Sequence, residues 1–312
     1  MYNRRKFIAQ SAMAAGSVLL GSRALHAAAI DAAPVEYLTI LHTNDTHSRL
    51  DPFPMDGSRN EGLGGVARRA ALIEKIRGEA EHVLLLDAGD IFQGTPYFNI
   101  YNGEPEIKAL TQMGYDAVTI GNHDYDGGIE NLAAQMQAHG RFETIVCNYD
   151  FAGTPMENVA VPYKIFKRGG LKIGVLGVGI ELDGLVPANL YGNTRYLDPV
   201  AKANETAALL RSKGCDLVIC LSHLGYRYSG NKISDLKLAA ATSNIDLIIG
   251  GHTHDFLEQP EVVRNKNGAE VIINQVGWAG IKLGRLDYRF ERGKRGKVER
   301  ANSLLVTKKT GE

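Results

Sequence analysis

Five stretches of this chain close on Asp, Asn or His in spacings that suit metal chemistry: "ILHTNDTH", "LLLDAGD", "TIGNHD", "VICLSH" and "LIIGGHTH". Asp45 and His47 lie two residues apart, as do His252 and His254, and such pairs project to the same side of an extended chain. A carboxylate and an imidazole placed in that way can share one ion. Asp90 adds a second carboxylate, Asn122 a side-chain carbonyl oxygen and His223 another ring nitrogen. These seven candidates, Asp45, His47, Asp90, Asn122, His223, His252 and His254, exceed what one catalytic ion with an open position needs. They suffice for two ions sharing a carboxylate. The donors are oxygen and nitrogen with no thiolate, a set that suits divalent Mn, Zn or Fe and leaves the choice among them open. His123 follows Asn122 directly and can stay unligated to act on a substrate. Asp126, three residues on, can hold its ring in one tautomer. Asp87 is given a turn-forming role and His42 an orienting one, while His26, His82 and His139 stand in no comparable context.

Something has to carry these groups to one place. Each stretch is preceded by a short, β-branched-rich apolar run, the pattern of a strand buried on both faces. Polar groups just past the C-terminal ends of such strands occupy the edge where open α/β sheets bind ligands. Gly89, Gly121, Gly250 and Gly251 fall at those ends, and sharp backbone turns are expected there. Amphipathic helices are expected over "GGVARRAALIEKIRGEAE", "EPEIKALTQMG" (with Gly114 as its cap), "GIENLAAQMQAHG", "VAKANETAALLRSKG" and "LKLAAATSN". Beyond residue 269 the pattern changes to strands joined by tight turns, with alternation in "LGRLDYRF" and a basic hairpin in "FERGKRGKVER". A mixed α/β fold follows, with sheets flanked by helices.

The 312 residues carry 35 basic and 35 acidic side chains, a balance that argues against nucleic-acid binding. α/β domains of about 200–250 residues are common, so one domain is the simplest division after the leader. "NRRKFIAQSAMAAGSVLLGSRALHAAA" has a basic start, an apolar middle and small residues at its end, with Arg4 and Arg5 adjacent. Residues 1–29 are therefore expected to be a twin-arginine-type signal peptide, cleaved near Ala27 to Ala29, and 30–312 the mature domain. The apolar stretch is short for a membrane span. Cys147, Cys215 and Cys220 form no disulfide framework; a Cys215–Cys220 bridge is only weakly motivated.

Taken together, "ILHTNDTH", "DAGDIFQGTP", "GNHDYD", "SHLG" and "GGHTH" resemble the calcineurin-like metallophosphoesterases, and more closely the catalytic domain of the 5′-nucleotidase family, from Val35 to Val306. The resemblance implies a four-layer αββα sandwich of two mixed sheets flanked by helices. It implies that Asp45, His47 and His254 hold one metal, that Asn122, His223 and His252 hold the other, and that Asp90 bridges them. His123, paired with Asp126, would stabilise the transferring phosphoryl group or the leaving oxygen. Many relatives carry glutamine where His254 stands, which bears on metal preference. Family nucleotidases continue into a second, nucleoside-binding domain that this chain is expected to lack, so nucleoside recognition is expected to be absent, weak, or supplied by a separate nucleoside-binding protein. The resulting expectation is an exported, periplasmic phosphohydrolase of nucleotide esters that uses two divalent ions. The rivals are a cyclic-nucleotide phosphodiesterase, a thiosulfohydrolase-like enzyme, and a catalytic-fold subunit acting mainly as a binding module.

Overall fold

A strand that is apolar at every position has no side that water can wet, so both of its faces need cover. The computed structural model, which describes residues 35–291 and 295–308, provides that cover by stacking helices, sheet, sheet and helices. The expected leader at 1–29 lies outside the described residues. In chain order the strands are β1 (Val35–Thr43), β2 (Val83–Asp87), β3 (Ala117–Val118), β4 (Glu143–Ile145), β5 (Tyr149–Asp150), β6 (Ala160–Val161), β7 (Tyr163–Arg168) and β8 (Leu171–Val178). They continue with β9 (Arg195–Tyr196), β10 (Leu217–Ser222), β11 (Leu247–Gly250), β12 (Glu261–Arg264), β13 (Glu270–Asn274), β14 (Lys282–Glu291) and β15 (Lys297–Leu305). The helices are α1 (Val66–Glu79), α2 (Pro96–Tyr101), α3 (Glu104–Met113), α4 (Ile129–His139), α5 (Ala188–Tyr191), α6 (Pro199–Ser212) and α7 (Asp235–Ala241).

One large sheet runs β15-β14-β1-β2-β3-β4-β6 and the other β12-β13-β11-β10-β8-β7, each mixing parallel with antiparallel pairs, while β5 and β9 form a small antiparallel sheet of their own. Alternate residues of single strands supply opposite layers. In β1 and β2, Leu38, Ile40, Leu84 and Leu86 face the second sheet, while Leu41 and Leu85 face the layer of α1, α3 and α4. In β10 and β11, Leu217, Ile219, Leu221, Leu247 and Ile249 point inward between the sheets, and Val218, Cys220 and Ile248 pack on α6 and α7. Three apolar clusters thus separate four layers, as the resemblance implies. All three cysteines are free and buried, so no Cys215–Cys220 bridge forms.

Local signals hold at several boundaries. Gly114 ends α3 in the left-handed region at φ 69°, its N–H donating to Leu110 O and Thr111 O. Asp198 starts α6 by accepting from the N–H groups of Val200 and Ala201, with Pro199 at the first helical position. β14 alternates buried and half-buried residues, as expected of its sequence. Two expectations are corrected. The strand expected over "DAVTIG" is only Ala117–Val118, because Ile120 and Gly121 leave the ladder for the rim loops. His42, expected to orient a loop, instead lies inside β1, fully buried with Nε2 2.9 Å from the Asn274 amide of the other sheet.

Candidate metal centre

β1, β2 and β3 run parallel, as do β10 and β11, so within each sheet their C-terminal ends come out together. The loops that follow are tied to each other by backbone bonds. Asp45 N donates to Gly89 O at 2.9 Å, His47 N to Asp90 O at 3.1 Å and Ser48 N to Ile91 O at 2.8 Å. Site residues also tie one sheet to the other. His252 N lies 2.9 and 3.0 Å from the two Asp45 carboxylate oxygens, and His223 Nδ1 lies 2.7 Å from Ala88 O.

The rim stores backbone strain. Asp45 (φ 50°), His47 (47°), Asp90 (55°), His252 (73°) and His254 (56°) all occupy the left-handed region. Each such residue costs on the order of 1–3 kcal/mol and persists only where the surroundings over-determine it, a pattern typical of functional sites. The glycines at the strand ends have a different purpose from the one expected. Gly89 does turn at φ 88°, but Gly121 and Gly251 keep ordinary backbone and are small because space is short. A Cβ on Gly121 would strike the Asp90 carboxylate, and one on Gly251 would lie 3.0 Å from His223 Nδ1.

Two clusters result, Asp45 with His47 and His254, and Asp90 with His223 and His252, the ligand atoms of each lying within 4.8 Å of one another. In the first, His47 Nε2 is 3.0 Å from His254 Nε2, and His254 Nε2 is 3.4 Å from Asp45 Oδ1. Between the clusters, Asp90 Oδ2 is 3.0 Å from His223 Nε2 and 3.9 Å from His47 Nε2. Asn122 stands beside them, its Oδ1 buried without a hydrogen-bond partner.

Burial lowers the pKa of His47, and burial, followed by the His223 charge, takes His252 to about 4. Both rings are therefore neutral lone-pair donors at neutral pH. His223 goes the other way: burial pulls it down, but Asp90 and then Asp45 outweigh that and push it to about 10. Burial likewise opposes ionisation of Asp90, yet His223 holds its carboxyl well below the usual range. With no cation between them, His223 therefore holds the proton and Asp90 the negative charge, an ion pair where a cation could sit.

His123 belongs to neither cluster. Its N–H donates to Asp90 Oδ1 at 2.8 Å, its Nδ1 lies 2.9 Å from Asp126 Oδ2, and its side chain is 38% exposed. The bond to Asp126, ahead of an opposing burial effect, raises its pKa. All nine residues singled out from the sequence meet at this rim. Asp87 makes the expected turn, accepting from Gly89 N at 2.9 Å and from Thr43 Oγ1 at 2.5 Å.

Three supporting residues escape sequence reasoning. Asp124 is buried and accepts from the N–H groups of Gly121, Asp90, Ile91 and Phe92 at 2.8–3.1 Å, clamping the β3 loop to the β2 loop. It is the last residue of "GNHD", so the signal was present without a reason to read it. Asn44 Nδ2 donates to Asp45 Oδ2 at 2.6 Å, and Trp278 stacks on the His254 ring with centroids 5.9 Å apart. Neither is marked by any spacing.

Comparison with known proteins identifies relatives of the chain and of its fold. A snake venom 5′-nucleotidase from Gloydius brevicauda is 32% identical over 88% of this chain and 49% of its own length. The crystal structure of a 5′-nucleotidase precursor from Thermus thermophilus superposes with a TM-score of 0.80 at 32% identity, over 88% of this chain and 55% of that one. That of the calcineurin-like phosphoesterase YfkN from Bacillus subtilis does so with a TM-score of 0.70 at 26% identity, over 88% and 91%. The chain spans about half the length of the curated 5′-nucleotidases it matches. The sequence pattern of one family, calcineurin-like phosphoesterase, matches residues 38–256, a span that holds every residue of both clusters together with His123 and Asp126; the chain belongs to that family.

Proposed function

We propose that this chain is a dinuclear-metal-dependent phosphohydrolase acting on nucleotide phosphate esters. The observation that carries the reading is the Asp90 carboxylate, with one oxygen 3.0 Å from His223 in one cluster and 3.9 Å from His47 in the other. Asp45, His47 and His254 would hold one divalent ion, Asn122, His223 and His252 a second, and Asp90 would be common to both. The donors suit cations. Asn122 Oδ1 is a buried acceptor with nothing to accept from, and two imidazole nitrogens face each other at 3.0 Å. Carbonyls of Phe92 and Ala88 lie 3.3 and 2.7 Å from the Nδ1 atoms of His47 and His223, which leaves Nε2 of each turned inward. Oxygen and nitrogen without sulfur suit Mn, Zn or Fe.

Bound there, two such ions would activate water and neutralise charge on the phosphoryl oxygens. The protein's own part is positional and protonic. Asp126 fixes the His123 tautomer and favours its protonated form, so Nε2–H is free to donate to a phosphoryl oxygen or to the leaving oxygen. The nucleotide as substrate comes from the names of the relatives, and export from the twin-arginine-type leader. Among the described residues no helix is long and apolar enough to cross a membrane. Elemental analysis of protein purified without chelators, alongside phosphate release from a nucleotide panel, tests the reading. About two divalent ions per chain and release from 5′-mononucleotides are expected. Full metal loading with no release from any nucleotide would sink the substrate assignment.

A further inference from the structure

The segment 224–234, between β10 and α7, borders the rim without contributing a ligand candidate. It is nonetheless held firmly. Tyr226 N donates to Thr253 Oγ1 at 2.9 Å, and Thr253 stands between His252 and His254. Asp235 N donates to Gly225 O at 2.8 Å and Tyr228 OH to Leu224 O at 2.7 Å. A Cβ on Gly225 would strike the Tyr228 hydroxyl and lie 2.8 Å from the Thr253 methyl, so the phenol and Thr253 share the space beside Gly225. Lys237 Nζ closes the far side on Gly230 O at 2.5 Å. Lys232 then places its ammonium 4.4 Å from the centre of the Tyr228 ring. That side chain is exposed, and among the described residues it pairs with no carboxylate.

We propose that Lys232 is a specificity-determining residue, an ammonium held over Tyr228, whose hydroxyl packs with Thr253 between His252 and His254, to bind the dianionic phosphate of a monoester. The proposal rests on the phosphoester reading above. An aromatic face orients a cation without neutralising it, so the charge stays available to an anion. An ammonium on a four-carbon stem is a compact point charge that can follow a phosphate as it arrives. A dianion gains about twice the Coulomb attraction of a diester monoanion at the same distance. Lys232 should therefore favour phosphomonoesters and free phosphate over diesters.

The test uses the metal-loaded full chain with Lys232→Met and Lys232→Arg. Inorganic phosphate binding is read by titration calorimetry, and KM and kcat are measured on adenosine 5′-monophosphate and on bis-p-nitrophenyl phosphate. Lys232→Met should weaken phosphate binding about tenfold and raise KM for the monoester about as much, with kcat changed less than about threefold. KM for the diester should move less, metal content should stay the same, and Lys232→Arg should keep most of the phosphate affinity. Phosphate affinity and monoester KM within about twofold of the parent would overturn the proposal, as would equal loss in Lys232→Arg or loss of metal in Lys232→Met. If the parent turns over no ester, the phosphoester reading fails by itself, and phosphate calorimetry still decides the role of Lys232.

Discussion

His123 lies close to both clusters without belonging to either, its ring 5.4 Å from that of His47 and its Nδ1 committed to Asp126. A residue placed in that way should govern turnover rather than metal binding. His123→Ala is expected to keep both ions while losing about 10²–10⁴-fold in kcat, the usual worth of a positioned proton donor. Asp126→Asn acts through the imidazole and should lose less. Elemental analysis and steady-state kinetics on the same preparations check both. Metal loss in His123→Ala would make that ring a ligand and undo its assignment. This residue was legible in the sequence because it is adjacent to Asn122 and three residues from Asp126. Asp124, between them, was not: its work is done on backbone N–H groups of another loop, and no spacing of residue types encodes those partners.

The elements that deliver the site were read with uneven success, for a physical reason. Strands apolar on consecutive residues and helices with a clear apolar face announce themselves, and β1, β2, β10, β11, α1, α3, α4, α6 and α7 were all foreseeable. α2 spans only Pro96–Tyr101, too few residues to show a helical period, and β3 keeps two ladder residues because the chain beyond it is recruited to the rim. That recruitment depends on the Asp124 clamp. One carboxylate serves four N–H donors, whereas an amide offers a single oxygen and turns an NH₂ towards the remaining donors. Asp124→Asn should cost about 1–3 kcal/mol of stability. Urea denaturation of the metal-free protein, compared with the parent, isolates this effect from lost coordination. Weaker retention of metal should accompany it, because the same clamp holds the backbone of Asp90. Unchanged stability would mean that the loops keep their places without Asp124.

At the scale of the molecule, the two large sheets meet over a core of mainly leucine and isoleucine, closed by Tyr288 and Phe290, beside which the His42 imidazole is buried. His42 in β1 is fully buried, with Nε2 2.9 Å from the Asn274 amide of β13 and against Gly284 of β14, where a Cβ would collide with the ring. The sequence set this histidine apart from the site residues three and five positions later only as a residue that orients a loop; the stacking of the sheets is what shows it buried between them. Burial lowers its pKa from 6.5 to about 3. The unfolded chain therefore takes up a proton between about pH 6.5 and 3 that the folded chain refuses. Stability from this group is complete above the unfolded value and is lost as pH falls through that window, at no more than about 1.4 kcal/mol per pH unit. Asp87 and Asp235 work in the opposite sense, since burial raises them to about 6 and about 8 and they bind protons on folding. The parent's pH profile mixes these contributions, and comparison with His42→Gln separates them. A glutamine can still meet the Asn274 amide and does not titrate. Denaturant unfolding of both metal-free proteins at half-unit steps from pH 4.5 to 7.5 should show the parent losing stability relative to His42→Gln below about pH 6.5. Parallel profiles across that range would mean that His42 charges without opening the sheet interface.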